Sequence, residues 1–204
     1  MLAKLLASPG VREQCHLRSR FGFMAFHGGS LEEMTDVIAA DAAERSGASY
    51  YGVLQPHDLQ WHIPSHKVSP AASPALARFV DHVDVVVTVH GYGREGMFTS
   101  LLLGGRNRVL ADHLGSHLRT HLPAYDIRTS LETIPIDLRG QHVDNPVNLP
   151  PSQGVQIELP PRVRGSSPLW WDWEGPGHTP HTEALIVALA AAASTWATTA
   201  QAAR

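Results

Sequence analysis

The chain is poor in the features that mark several common protein classes. It has one cysteine in 204 residues, Cys15, so no intrachain disulfide framework exists. Cys15 is expected to be a small packing residue. Charge is sparse at 17% and nearly balanced, with 16 Lys and Arg against 19 Asp and Glu. No surplus of cations is available for a phosphate backbone, which argues against generic nucleic-acid binding. The hydrophobic fraction of 43% is ordinary, so wholesale disorder is excluded. The longest apolar run, Ala184 to Ala193, is about half of the ~20 residues a membrane-spanning helix needs. The N-terminal Met1 to Leu6 is too short for a secretory core and is followed by Ser8-Pro9-Gly10. A cytoplasmic protein is the expectation. The chain also lacks Gly-x-Ser-x-Gly and a Walker loop, which argues against a serine-nucleophile elbow and against a P-loop nucleotide site.

Histidine, by contrast, is abundant. Thirteen residues of this type, against so few cysteines, invite a search for a metal or proton-transfer site.

Along the chain, short apolar runs alternate with helical patterns. Phe21 to Phe26, Tyr50 to Leu54, Val83 to Val89 and Val155 to Leu159 read as strands, and Leu59 to Ile63 and Thr129 to Ile136 as further candidates. Val83 to Val89 is β-branched and nearly continuous, as a strand buried on both faces would be. Ser30-Leu31-Glu32-Glu33 has the capping-box spacing and predicts a helix from Ser30 to about Glu44. Arg108 to Leu122 and the Ala-rich 182–203 complete the helices. This alternation predicts a single α/β domain over 1–204.

Polar residues at the ends of apolar strands are the candidate site, because open α/β sheets bind ligands outside the carboxyl ends of their strands. His27 follows the first run, His90 follows the strongest, and Glu32 lies across the Gly28-Gly29 turn from His27. Two imidazoles and a carboxylate with an open position make a hydrolytic zinc site. A solvated turn histidine and a helix-dipole glutamate are the plain alternatives. Glu158 interrupts Val155-Gln156-Ile157-Glu158-Leu159 and reads either as a general base in a dry cleft or as a solvent-facing carboxylate on an edge strand. Gly104-Gly105-Arg106-Asn107 could hold an anion or simply start a helix. His62, between Trp61 and Ile63, reads either as lining the cleft or as a core residue supporting the ligands. His113, His117 and His121 recur every four residues beside Leu110, Leu114 and Leu118, and are read as a solvated helix flank.

Four segments in order carry a family resemblance: His27 to Thr35, Leu59 to Ser65, Thr88 to Gly91, and Gly154 to Leu159. Together they resemble the poly-γ-glutamate hydrolases of bacteria and phages, a trimmed relative of the zinc carboxypeptidases, over about 21–164. The resemblance implies a mixed, mostly parallel sheet flanked by helices and one Zn²⁺ per chain. It implies His27, Glu32 and His90 as ligands and Glu158 as the catalytic base. Arg164 and Asn148 match an arginine following and an asparagine preceding the family's Gln-x-Glu strand, and with Arg106, Asn107 and His62 are the candidates to contact substrate. The implied activity is cleavage of γ-glutamyl amide bonds in a γ-glutamyl polymer or peptide. Deacylation of N-acyl glutamate or a cell-wall peptide, and zinc binding without turnover, are the alternatives. Pro160-Pro161 departs from the small or polar residues usual after the family's glutamate.

Overall fold

A computed structural model describes residues 1–202, with side chains described to residue 196. The elements are α1 (Leu2–Leu6), β1 (Arg12–His16), β2 (Phe21–Gly29), α2 (Thr35–Ser46), β3 (Ser49–Gln55), α3 (Pro74–His82), β4 (Val85–Gly91), β5 (Ser100–Leu103), α4 (Arg108–His121), β6 (Asp126–Arg128), β7 (Gly154–Leu159), α5 (Pro161–Arg164) and α6 (Pro180–Ala202). Residue 203 of the expected last helix lies outside the described residues.

The strands form one seven-stranded sheet in the order β1-β3-β2-β4-β7-β5-β6. The pairs β2–β3, β2–β4, β4–β7 and β5–β6 are parallel, while β1–β3 and β5–β7 are antiparallel. This is the mixed, mostly parallel α/β sheet that the alternation of elements predicts.

Two apolar layers sandwich the sheet. On one face Phe23, Val87 and Ile157 pack with Ile38 of α2, Leu114 of α4 and Leu189 of α6. On the other, Met24, Phe26 and Val86 pack with Leu2 and Leu5 of α1 and Leu76 and Phe79 of α3. The crossover through α2 leaves β2 towards β3, and the crossover through α3 returns to β4 on the other side of β2. The carboxyl ends of β2 and β4 therefore flank a point where the chain departs in opposite directions, the usual place for a crevice. β7 lies inside the sheet between β4 and β5, so Glu158 is not on an edge strand.

Several local expectations are corrected. The helix after β2 starts at Thr35, not Ser30, because the Ser30 hydroxyl donates to the Pro56 carbonyl at 2.5 Å and does not cap a helix. The intervening turn ends in Met34, which takes a left-handed φ of 71°. Leu59 to Ile63 joins no strand; the Gln55 side chain holds it instead, donating to the Trp61 carbonyl at 3.0 Å and accepting its N–H at 2.9 Å. Thr129 to Ile136 is not a strand either: Leu131–Thr133 and Ile136–Leu138 are 3₁₀ turns, and the short β6 precedes them. The strands β1, β5 and β6 add to the expected set. His113 and His117 do not form a solvated flank. α6 packs on that side of α4, and His113 Nε2 donates to the Ala192 carbonyl at 2.9 Å. Among the described residues no helix is long and apolar enough to cross a membrane.

Candidate active site

Three neighbouring parallel strands deliver the site. β2 carries His27, β4 His90 and β7 Glu158 near their carboxyl ends, and His90 pairs in register with Glu158. Between Ala25 and Gly28 the register of β2 against β3 shifts. Such a bulge re-aims the side chains it carries, here Phe26 and His27. Gly28 and Gly29 then pass close to Asp36 and Gln55, where any side chain would collide. The tight exit and the left-handed Met34 turn the following segment back, so that Glu32 meets both histidines. A helix starting at Ser30 would not leave the chain free to make that turn.

The Glu32 carboxylate joins the two strand ends. Its Oε1 lies 2.8 Å from His27 Nδ1. Its Oε2 lies 3.3 Å from His90 Nδ1 and accepts the Gly91 N–H at 2.9 Å. His27 Nε2 donates to the Ile63 carbonyl at 2.8 Å. A neutral imidazole has one N–H, so with that proton on Nε2 the lone pair of Nδ1 points at a carboxylate oxygen. Only a cation between the two atoms, a proton or a metal, removes that repulsion. An imidazole that gives its second nitrogen to a backbone carbonyl is also the usual arrangement of a metal ligand. His90 Nε2 is buried and has no hydrogen-bond partner among the described residues.

His62 arrives from the pinned segment after β3. Its ring centroid is 4.6 Å from that of His27. The ligand atoms of His27, Glu32 and His62 all lie within 4.8 Å of one another. The sequence leaves His62 between the cleft wall and the core; the structure sets it beside His27 and Glu32. The signal for this lies in Gln55, whose hold on Trp61 fixes the segment.

The electrostatics favour an ionised Glu32 and lower the pKa of His90 and His62. Burial alone would raise the pKa of Glu32, but His90 and His27 hold it well below the usual carboxylate range. Burial pushes His90 down, and burial together with His27 pushes His62 down. Glu158, 4% exposed, is shifted the other way. Burial raises its pKa well above the ordinary value, Glu32 adds to the rise, and the hydrogen bond from Gln156 opposes it.

These groups open on a cleft of about 730 Å³, inside the ~300–1,000 Å³ range of ligand sites. His27, Glu32, His62, His90 and Glu158 lie along it, with His66 and His142 further out. The other expected contact residues do not reach its lining. The Arg164 guanidinium is buried under Gly91 and donates to the carbonyls of Leu159, at 3.1 Å, and Glu33. Asn148 accepts the Arg106 N–H at 3.1 Å and donates to the carbonyls of Gly140 and His142 at 2.8 and 2.9 Å, stapling the outer wall. Arg106 Nε donates to the Gln141 carbonyl at 3.0 Å, behind that wall. Asn107 caps α4, accepting from Leu110 N at 2.8 Å.

A sheet of this topology, with ionisable groups gathered at the carboxyl ends of its central strands, is the frame of a single-domain α/β protein with a strand-end cleft. Within that class the chain belongs to the poly-γ-glutamate hydrolase family, whose model matches residues 4–167. The fold is similar to that of a bacteriophage poly-γ-glutamate hydrolase, with a TM-score of 0.77 at 18% identity, covering 96% of this chain and 94% of that one. It is also similar to YndL in an apo, zinc-free form, with a TM-score of 0.74 at 19% identity over 93% and 92% of the two chains. A gene product of Agrobacterium tumefaciens, Atu2144, aligns with a TM-score of 0.52 at 14% identity over 92% and 96%. At these identities the likeness to each is one of fold. No curated protein sequence matches the chain.

Proposed function

We propose that the protein is a zinc-dependent amidohydrolase that cleaves γ-glutamyl amide bonds in poly-γ-glutamate. The observation that carries this reading is the lone pair of His27 Nδ1 set against Glu32 Oε1 at 2.8 Å, an arrangement that a cation resolves. His27, Glu32 and His90 would hold the ion through atoms already gathered on the Glu32 carboxylate, and His62 stands within ligand distance beside them. The lowered pKa values of His62 and His90 favour free nitrogen lone pairs on those two rings. The family itself supports hydrolase chemistry. A structural relative in a zinc-free form supports zinc as the ion to test.

When bound, zinc supplies a Lewis acid that polarises the scissile carbonyl and makes water acidic enough to attack at neutral pH. The protein's own residues do the rest. Glu158, raised by burial, accepts the proton of the attacking water and returns it to the leaving amide nitrogen. The buried ends of β2, β4 and β7 keep bulk water from that exchange. The carboxylates carried along a γ-glutamyl chain would meet His62, His66 and His142 on the walls of the cleft. Arg164 and Asn148 serve from behind, holding the Glu33 turn and the 140–142 wall in place.

The test is hydrolysis of purified poly-γ-glutamate by the zinc-loaded protein. Release of γ-glutamyl oligomers supports the reading. If the polymer is untouched while short N-acyl glutamates are cleaved, the substrate is wrong but the chemistry stands.

A further inference from the structure

The side chain that touches Glu158 is Gln156, and the direction of every hydrogen bond behind it is fixed. The Val147 N–H can only donate, and it donates to Asn145 Oδ1 at 3.3 Å. That leaves Asn145 Nδ2 to face Gln156, and it donates to Gln156 Oε1 at 2.8 Å. Gln156 must then present its own Nε2, which donates to Glu158 Oε1 at 2.8 Å. Asn145 and Gln156 are both buried at the cleft wall. Gly140, at a left-handed φ of 62°, lies flat against Gln156, and a Cβ there would stand 2.8 Å from its Cβ, Cδ and Oε1. The Gln156 amide is thus confined by packing as well as by bonding. Two carboxamides in series carry the polarity of one backbone amide to one oxygen of one carboxylate.

We infer that Asn145 and Gln156 are positioning residues for the hydrolytic reaction, which fix the orientation of Glu158 so that Oε1 is occupied and Oε2 is the oxygen offered to the attacking water. This rests on the reading of Glu158 as the base. Direct donation to Oε1 does two things. It prevents the carboxyl group from rotating about Cγ–Cδ, and it favours the charged form that burial opposes. Asn145 sets the sense of the relay. An acceptor in its place would reverse the Gln156 amide and turn Gln156 Oε1 towards the carboxylate.

The experiment compares Gln156→Met, which keeps length and volume without the amide, and Asn145→Asp, which keeps shape but replaces the donor by an acceptor. Each is made in the wild-type and in the Glu158→Gln background, and poly-γ-glutamate is the substrate. Zinc content and Tm are measured in parallel to show that fold and metal survive. We expect kcat to fall by about 10- to 100-fold in both single variants with KM within about twofold, as for other groups that orient a reacting side chain. We expect no further fall when either change is added to Glu158→Gln. A space-filling role would leave Asn145→Asp near wild type. An equal fall in both backgrounds, or an effect carried by KM, overturns the inference. Crystal structures of the two variants read the carboxylate whether or not the polymer is cleaved. A Glu158 carboxylate turned away from its wild-type orientation supports the relay, and one unmoved in both variants overturns it. An inactive wild type with a turned carboxylate would remove the proposed substrate and leave the relay standing.

Discussion

Glu32 Oε2 accepts the Gly91 N–H at 2.9 Å, so a side chain in the turn after β2 is bonded to the backbone at the end of β4, 59 residues later in the chain. The same carboxylate faces His27 with its other oxygen. One residue therefore sets the separation of two strand ends, and its charge and its position are needed together.

Metal content is the first consequence. Protein purified without chelator should contain about one zinc per chain, as one closed group of ligands implies. His27→Ala and His90→Ala should each lower that to a small fraction, and His62→Ala should lower it less. Elemental analysis of the three variants decides, with His113→Ala as the control that should keep its metal.

Glu158→Gln separates binding from chemistry. The substitution preserves volume and removes only the proton acceptor, so zinc content and Tm should stay near wild type. Hydrolysis should fall by about 10²–10⁴-fold, the usual contribution of a positioned acid–base group. Glu32→Gln should behave differently and lose metal first, because an amide is a weaker ligand than a carboxylate. Zinc content and polymer hydrolysis measured on both variants distinguish the two roles.

Arg164→Ala should be costly despite lying outside the cleft. The guanidinium satisfies the carbonyls of Leu159 and Glu33 in a buried place and fills the space under Gly91. Removing it orphans two acceptors and leaves a cavity, worth about 2–4 kcal/mol in stability. Urea unfolding should show the loss, and zinc should bind less tightly because the turn that carries Glu32 loosens. Unchanged stability would mean that the arginine is free to serve the substrate.

Acid should weaken the contact between α2 and α6. Arg45 bonds to Glu183 through both carboxylate oxygens, and that hydrogen bonding holds Glu183 below its ordinary pKa. A depressed carboxylate contributes stability that is present above its unfolded value of about 4.5 and disappears as pH falls through the lowered one. The pair is largely exposed, so the effect is small. The Tm of Glu183→Gln should lie slightly below wild type at neutral pH, and the gap should close on acidification.

The strand ends were readable because β-branched and aromatic runs stop at a polar residue. His27 and His90 announce themselves after Phe21 to Phe26 and Val85 to Val89, and Glu158 interrupts an apolar strand. Burial then fixed what periodicity left open: Glu158 could have faced solvent on an edge, and only the insertion of β7 between β4 and β5 excludes that. The bulge at Phe26-His27 leaves no mark in the sequence, since it depends on the partner strand. The capping-box spacing at Ser30 misled because the Ser30 hydroxyl found a carbonyl of another segment, at Pro56. His62 carried too little local signal to be placed as a donor, since a tertiary contact from Gln55 aims it. The side chains of Arg106, Asn107 and Asn148 are polar enough for a ligand, but backbone groups nearby claim them first.

The last strand in sequence does not lie at the margin of the sheet. β7 enters between β4 and β5, pairing with both, and among the described residues no other strand joins β5 and β6 to the rest of the sheet. A growing polypeptide that has not yet reached Gly154 has two separate strand groups and lacks Glu158, the proposed base. Assembly then waits on a pairing between distant segments, Val86 with Gly154 and His90 with Glu158, and such non-local pairings form slowly. Completion of the sheet and completion of the proposed site are one event, so a partly synthesised or partly folded chain is expected to lack the proposed activity.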